Sequence, residues 1–208
     1  REAKQNAIEK ARVDSELAFL KNQISPHFFF NSLNNIYALI EIDAEKAQMA
    51  LEELSKLIRY LIYDSNIDKI ELKKDVEFTC NYIALMRQRV STKVDLDVHI
   101  DKHIPLVKIP PLLFIPFIEN AFKHGISYRE KSYIHIRLSF HQETVVLQCS
   151  NSIPSNNDQE QQRGGVGIEN IKKRLDLLYS TSYELIFSSK DREYGVQLKI
   201  PLEMKQHE

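Results

Sequence analysis

Apolar side chains in the first third of the chain recur in steps of three and four residues, the period of an α-helix. One series is Val13, Leu17, Leu20 and Ile24, and a second is Ala47, Leu51, Leu54, Ile58 and Leu61. The spacing predicts two helices with the stripes of a coiled coil or bundle. A lone hairpin cannot bury both stripes, so we expect two copies to form a four-helix bundle, unless the hairpin packs on its own second domain.

After residue 65 the hydrophobic period changes. A third helix is predicted from Leu72 to Val90, with no indication of which half of the chain it joins. Apolar and polar residues then alternate, as in half-buried strands, at 94–100, 134–140, 145–149, 183–187 and 194–200. Helices are predicted between them, near 112–124 and 167–179. We therefore predict an α+β protein, with a helical hairpin region at 1–92 and an α/β sandwich at 93–208.

Composition narrows the class of protein. The 208 residues are 43% hydrophobic and 27% charged, which is typical of a soluble globular chain. The 28 Lys and Arg against 29 Asp and Glu argue against a nucleic-acid-binding function. The two cysteines suit a reducing cytosol, and we expect no signal peptide or membrane-spanning stretch within these residues. Since the chain begins with Arg1, we expect it to be a piece of a longer protein.

A polar loop precedes a run of glycines. Residues 151–163 are mostly Ser, Asn, Gln, Asp and Glu, and we do not expect them to be ordered unless something holds them. Gly164, Gly165 and Gly167 follow and lead into a helix. Free backbone N–H groups at a helix start favour an anion, so the pattern suits a loop that wraps a phosphate. A simple turn before a helix is the alternative.

His27 is placed on the polar side of an amphipathic helix. Ser25 and Pro26 suit a helix start, or a kink in a longer helix. At about 100° per residue, His27 shares a side with Asn31 and Asn34. The opposite side carries Phe29, Phe30, Leu33, Ile36, Tyr37 and Ile40. An exposed imidazole is largely neutral at about pH 7, as a nucleophile must be, although an ordinary surface histidine fits the same pattern.

A second polar group lies on the helix predicted near residue 120. Asn120, Lys123 and His124 share one face, and Glu119 lies about a quarter turn away. Asn can give a neutral oxygen to Mg²⁺, Lys a charge to a phosphate, and Glu a base or a second metal contact. An i,i+4 ion pair between Glu119 and Lys123 is the simpler alternative for those two residues.

These segments together resemble the LytS-type sensor histidine kinase family. Residues 23–34, QISPHFFFNSLN, are similar to its phosphoacceptor motif, and residues 119–125, ENAFKHG, to the N box of the ATP-binding domain shared by gyrase, Hsp90, histidine kinases and MutL. Residues 165–171, GVGIENI, with Arg174 and Leu175 beyond, resemble the glycine box. The resemblance covers roughly residues 12 to 202, and its motifs occur in the family's order.

The resemblance implies a function and a set of roles. His27 would accept the phosphoryl group, Asn120 would bind Mg²⁺, and Lys123 and His124 would contact the phosphates of ATP. Gly165 and Gly167, with Gly164 before them, would shape the nucleotide lid. The position of Asn31, one turn after His27, separately indicates a hydrogen bond to the imidazole or to the incoming aspartate region, or simply an exposed helix residue.

Two positions differ from the usual pattern. Asn151 stands where many such domains have an adenine-binding Asp, and it would be a weaker, neutral acceptor. Phe28 stands where many histidine kinases have an acidic residue after the His, so Glu119 is the candidate base.

We therefore expect a protein-histidine kinase that dimerises through its N-terminal helices. It would phosphorylate itself from MgATP and pass the phosphoryl group to a response regulator, without binding nucleic acid. It would lie on the cytoplasmic side of the membrane, attached only through an upstream sensor region. The alternatives are a degenerate, non-catalytic dimeric module that signals by contact and, ranked below it, an ATPase or chaperone-type clamp.

Overall fold

The computed structural model describes residues 26–65, 67–91, 93–127, 129–141, 143–154 and 166–202. The helix predicted before residue 25 lies outside these residues. The helical region contains α1 (Pro26–Ile42), α2 (Ala44–Tyr63) and α3 (Leu72–Arg87). Asp43 begins α2 by accepting a hydrogen bond from the Lys46 backbone N–H at 3.0 Å. The predictions of α2 and α3 are confirmed.

The second helix has apolar side chains on more than one side. Its buried residues are Ala47, Ala50, Leu54, Leu57 and Tyr60, which face α1 and α3. Leu51 and Ile58 belong to the predicted seam, yet 49% and 40% of their surfaces are exposed. The predicted seam is therefore only half buried within one chain. The side chains packed inside the chain include Ala50 and Leu57, each one position before an exposed seam residue.

The first helix divides its apolar side in the same way. Phe28, Ser32 and Ile36 are buried, and the Ser32 hydroxyl donates to the Phe28 carbonyl at 2.8 Å. Four residues that the sequence places on the apolar side are instead 47–76% exposed: Phe30, Leu33, Tyr37 and Ile40. One half of the apolar side of α1 packs within the chain, and the other half faces outward.

All five alternating segments form strands of one sheet. They are β2 (Val94–Ile100), β4 (Ser132–His141), β5 (Thr144–Ser152), β6 (Glu184–Lys190) and β7 (Glu193–Pro201), in the order β2-β4-β5-β7-β6. The β2–β4 pair is parallel and the others are antiparallel. A short antiparallel pair that the sequence analysis missed, β1 (Ile70–Glu71) with β3 (Lys108–Ile109), lies beside the start of α3.

Helices α4 (Ile115–Gly125) and α5 (Val166–Tyr179) complete the sandwich. The crossover from β2 to β4 contains α4, which packs on β4 and β5. The other face of the sheet carries exposed polar side chains such as Asp97, His135 and Gln148. The predicted α+β fold, helices followed by an α/β sandwich, is confirmed.

The polar loop begins later than the sequence predicts. Asn151 and Ser152 belong to β5, because both pair with β7 opposite Tyr194 and Glu193. Residues 155–165 lie outside the described part of the chain.

The helical region and the sandwich share one continuous apolar core. Buried residues of α2 and α3, such as Leu57 and Leu85, belong to the same cluster as Phe114 of the next loop and Leu147 of the sheet. The domain limit at residue 92 therefore stays a prediction. Among the described residues, no helix has the length and apolar character needed to cross a membrane.

Candidate active site

A cavity of about 260 Å³ lies between α4, α5 and the sheet. Most of its walls are apolar. Six polar side chains also line it: Glu119, Asn120, Lys123, Asn170, Arg174 and Tyr194. A pocket for a whole small molecule typically has about 300–1,000 Å³, so a nucleotide would extend beyond this cavity.

The helix α4 presents polar side chains to the cavity because its apolar side is taken up by the core. Pro116 lies in the first turn, where its missing N–H costs nothing. Ile118, Ala121 and Phe122 are buried. The remaining side then carries Glu119, Asn120 and Lys123, the three α4 residues that the sequence analysis selected and that line the cavity.

Glu119 and Lys123 act on each other through their charges. Burial raises the pKa of the Glu119 carboxyl above its ordinary value, and the positive charge of Lys123 opposes that rise. A carboxylate with a raised pKa is a better proton acceptor than an exposed one, so Glu119 has a property that a general base needs.

The opposite wall is built by α5. The sequence analysis assigned no role to the polar residues of this helix, although Asn170 and Arg174 belong to the segment that resembles the glycine box. Arg174 is only 5% exposed and donates to the Leu112 carbonyl at 3.1 Å and to the Pro111 carbonyl. Asn170 also lines the cavity. The sequence does contain an indication of this buried charge. Arg174 lies three residues after Ile171 and four before Leu178, so a charged residue occupies a position on the apolar side of α5.

Asn151 lies near this site but does not line the cavity. It is 1% exposed, in β5, and its amide donates to the Ser152 carbonyl at 2.9 Å. A Cβ at Gly125 would lie 2.6 Å from the Asn151 Cβ, so the end of α4 rests directly on this side chain. Asn151 therefore supports the end of the helix that carries Asn120 and Lys123.

The other selected residues lie elsewhere. His124 is half-buried and does not line the cavity. Asn31 is a half-buried residue of α1, away from the cavity. Gly167 is the second residue of α5, whereas Gly164, Gly165 and the side chain of His27 are outside the described residues.

The start of α1 packs on α3. Phe28 is 6% exposed, and its ring stacks on that of Tyr82 with 4.8 Å between centroids. Burial raises the pKa of the Tyr82 hydroxyl, and the negative charge of Glu119 raises it further. Tyr82 thus fixes the first turn of α1 against α3.

The side chains at the cavity fit an anionic ligand. Lys123 and Arg174 are cations, and the buried Nε of Arg174 has no hydrogen-bond partner among the described residues. No group of three or more His, Cys, Asp or Glu side chains in the described ranges could hold a metal ion. A divalent cation here would therefore depend on the ligand's own oxygens together with Asn120.

Comparison with known proteins gives consistent matches. A family model for histidine kinases matches residues 15–94. The chain is 32% identical over 200 residues to the sensor protein LytS of Staphylococcus haemolyticus, a match that covers 90% of this chain and 34% of LytS. It is 27% identical over 208 residues to the sensor histidine kinase/phosphatase LytS of Staphylococcus aureus, covering 94% of this chain and 36% of that protein.

A solved structure is similar over most of the chain. The histidine kinase domain of the Erythrobacter litoralis EL346 blue-light activated histidine kinase has 18% identity and a TM-score of 0.48, with 92% of this chain and 96% of that domain covered. The chain spans about a third of the length of the curated relatives it matches.

Proposed function

Because the chain belongs to the LytS-type histidine kinase family, we propose that it is an ATP-dependent protein-histidine kinase of a two-component system. In this proposal MgATP binds at the cavity between α4 and α5, and His27 takes the γ-phosphoryl group. The phosphoryl group then passes to an aspartate of a response regulator. The observation that carries the proposal is the convergence of Asn120, Lys123 and Arg174 on one cavity.

The residues of α4 and α5 supply charge and orientation to the phosphates. Lys123 offers a positive charge, with Arg174 as a second cation on the opposite wall. Mg²⁺ bound with the nucleotide would neutralise part of the phosphate charge, and Asn120 would give it a neutral oxygen. Gly164, Gly165 and Gly167 would wrap the phosphates, and His124 and Asn151 are the remaining proposed nucleotide-binding residues.

Transfer of the phosphoryl group depends on the positioning of the reacting groups more than on covalent catalysis by the protein. An imidazole nitrogen of His27 attacks the γ-phosphorus, a nitrogen–phosphorus bond forms, and the bond to the bridging oxygen breaks to release ADP. The ring then loses the proton of its other nitrogen. Glu119 is the proposed acceptor, and the raised pKa of its carboxyl supports this role.

The outward apolar residues of α1 and α2 support dimerisation. Phe30, Tyr37 and Leu51 are 67%, 76% and 49% exposed, which leaves a large apolar surface on the outside of one hairpin. A second copy of the hairpin would cover them in a four-helix bundle. Asn31, one turn after His27, would then contact the imidazole or the regulator's aspartate region.

The remaining parts of the proposal concern the whole protein. The helical region at 1–92 would carry dimerisation and phosphotransfer, and residues 93–208 would form the ATP-binding unit. The chain would lie on the cytoplasmic side of a membrane, joined to it through a sensor region upstream.

A non-catalytic dimeric module is the second candidate. Two observations favour it: Phe28 follows His27 where an acidic residue is usual, and Asn151 does not line the cavity. Such a module would bind its partners, with or without nucleotide, and would not form phosphohistidine.

Labelling with γ-³²P-ATP and Mg²⁺ separates the two candidates. We expect acid-labile, base-stable label on the wild type, none on His27→Ala, and unchanged label on His103→Ala, which removes an exposed histidine of another loop. Asn120→Ala should label far less than the wild type. A folded wild-type chain that binds nucleotide and never labels would support the non-catalytic module.

A further inference from the structure

A strained residue forms part of the cavity wall. Leu112 has a φ of 61°, in the left-handed region that branched side chains avoid, and it lines the cavity just before α4. A backbone conformation of this kind persists only where surrounding contacts hold it.

Two buried charged residues hold Leu112 from opposite directions. Its N–H donates to Asp75 Oδ1 at 2.7 Å, and its carbonyl accepts from Arg174 Nη1 at 3.1 Å. Asp75 belongs to α3 and is fully buried, whereas Arg174 belongs to α5. The cavity wall is therefore held between α3, which follows the hairpin of α1 and α2, and α5.

The contact extends into the hairpin through Tyr60. The Tyr60 hydroxyl donates to the same Oδ1 atom of Asp75 at 2.6 Å, and its ring stacks on Phe78 with 4.3 Å between centroids. Tyr60 belongs to α2 and does not line the cavity. Its hydroxyl is joined to the cavity wall through Asp75, whose Oδ1 also accepts from the Leu112 N–H.

The polar atoms around this contact are incompletely satisfied. Asp75 Oδ2, Arg174 Nε and the Tyr179 hydroxyl are buried and have no hydrogen-bond partner within the described residues. Removing one member of such a group leaves the others less satisfied, which makes the geometry sensitive to each hydrogen bond.

We propose that Tyr60 is a positioning residue for the nucleotide cavity, acting through Asp75 on the backbone of Leu112. The inference rests on the proposed function, because it assigns the cavity to nucleotide. It makes the shape of the cavity wall depend on the second helix of the hairpin, so a displacement of α2 would change the affinity for nucleotide without contact between α2 and the ligand.

The test compares Tyr60→Phe with Tyr63→Phe in the full 208-residue chain. Both variants remove one hydroxyl from α2, but the side chain of Tyr63 is 72% exposed. Titration with a fluorescent ATP analogue should show binding about fivefold weaker for Tyr60→Phe, the effect of losing roughly one net hydrogen bond, and unchanged binding for Tyr63→Phe.

Amide hydrogen exchange distinguishes positioning from a general loss of stability. We expect Tyr60→Phe to speed exchange at the Leu112 N–H, while amides in the β5–β7 centre of the sheet keep the wild-type rate. Unchanged affinity in a folded Tyr60→Phe chain, or faster exchange throughout the sheet, would overturn the inference. A wild type that binds no nucleotide would instead refute the proposed function, and this inference with it.

Discussion

The ring of Phe28 stacks on the ring of Tyr82, with the centroids 4.8 Å apart and the planes at 28°. The contact joins the residue after His27 to the middle of α3. It also explains why Phe28 is compatible with this position, since a carboxylate there would be buried against an aromatic ring without a partner.

We expect Phe28→Ala to destabilise the chain by about 3 kcal/mol, because it empties a buried aromatic site. It should also lower the rate of His27 labelling by loosening the first turn of α1. Urea unfolding and initial labelling rates measure the two effects. Leu106→Ala is the control, since Leu106 is 99% exposed in a loop outside the hairpin, and its unfolding free energy should change by less than about 1 kcal/mol. Equal losses in both variants would contradict the packing described for α1.

Two glycine substitutions should differ in their effect. A Cβ at Gly125 would lie 2.6 Å from the Cβ of Asn151 and 3.1 Å from Ile134, neither of which can move away easily. We expect Gly125→Ala to cost about 1–3 kcal/mol and to weaken nucleotide binding by shifting the end of α4.

Gly195→Ala provides the comparison for Gly125→Ala. Its Cβ would meet the Ser188 hydroxyl oxygen at 2.5 Å, and an exposed serine can rotate away. Thermal unfolding of both variants measures the difference. A larger loss for Gly195→Ala would show that the contact between α4 and β5 is looser than the structure indicates.

Asp75 should make stability depend on pH. Burial raises the pKa of its carboxyl to about 6, although the Tyr60 hydroxyl, the Leu112 N–H and the charge of Arg174 all oppose the rise. The folded chain therefore binds this proton more tightly than the unfolded chain, in which the Asp75 carboxyl has its ordinary pKa of 3.8. The stabilising contribution is complete below about pH 4 and is lost as the pH rises through about 6.

Asp75→Asn isolates that contribution. Between about pH 5 and about pH 7, the wild type should lose roughly 1 kcal/mol of unfolding free energy relative to Asp75→Asn. Urea unfolding at both pH values measures this change. A difference between wild type and variant that stays constant across the range would show that Asp75 keeps an ordinary pKa.

Charges on the outward side of the hairpin should weaken self-association. Tyr37→Glu and Ile58→Glu place a carboxylate among exposed apolar residues of α1 and α2, so we expect dimer dissociation constants to rise about tenfold or more. Leu106→Glu is the control, because Leu106 is 99% exposed in a loop outside the hairpin. Sedimentation equilibrium measures the constants. A wild type that is monomeric at all concentrations would refute the dimer.

The sequence predicted the secondary structure well because the periods of two and three to four residues are local properties. Val94 to Ile100 and Ala44 to Tyr63 could be assigned without any knowledge of their neighbours. Glu119, Asn120 and Lys123 could be found in the same way, since one helix presents all three.

Arg174 and Asp75 could not be paired from the sequence, because 99 residues separate them and their contact passes through the backbone of Leu112. Each does carry a visible signal, a charge on the apolar side of its helix. The sequence analysis also did not predict that the seam of α2 is half exposed. Periodicity identifies the apolar positions of a helix, but it does not show which of them are buried by the same chain.

The position of β7 has a consequence for synthesis of the protein. Among the described strands, β7 is the last to emerge from the ribosome, yet it lies between β5 and β6 and pairs with both. Until residue 201 has left the exit tunnel, β5 has a bare edge and β6 has no neighbour at all. The sandwich therefore completes its fold only after translation has passed this strand, and nascent chains stalled before it would expose an aggregation-prone edge.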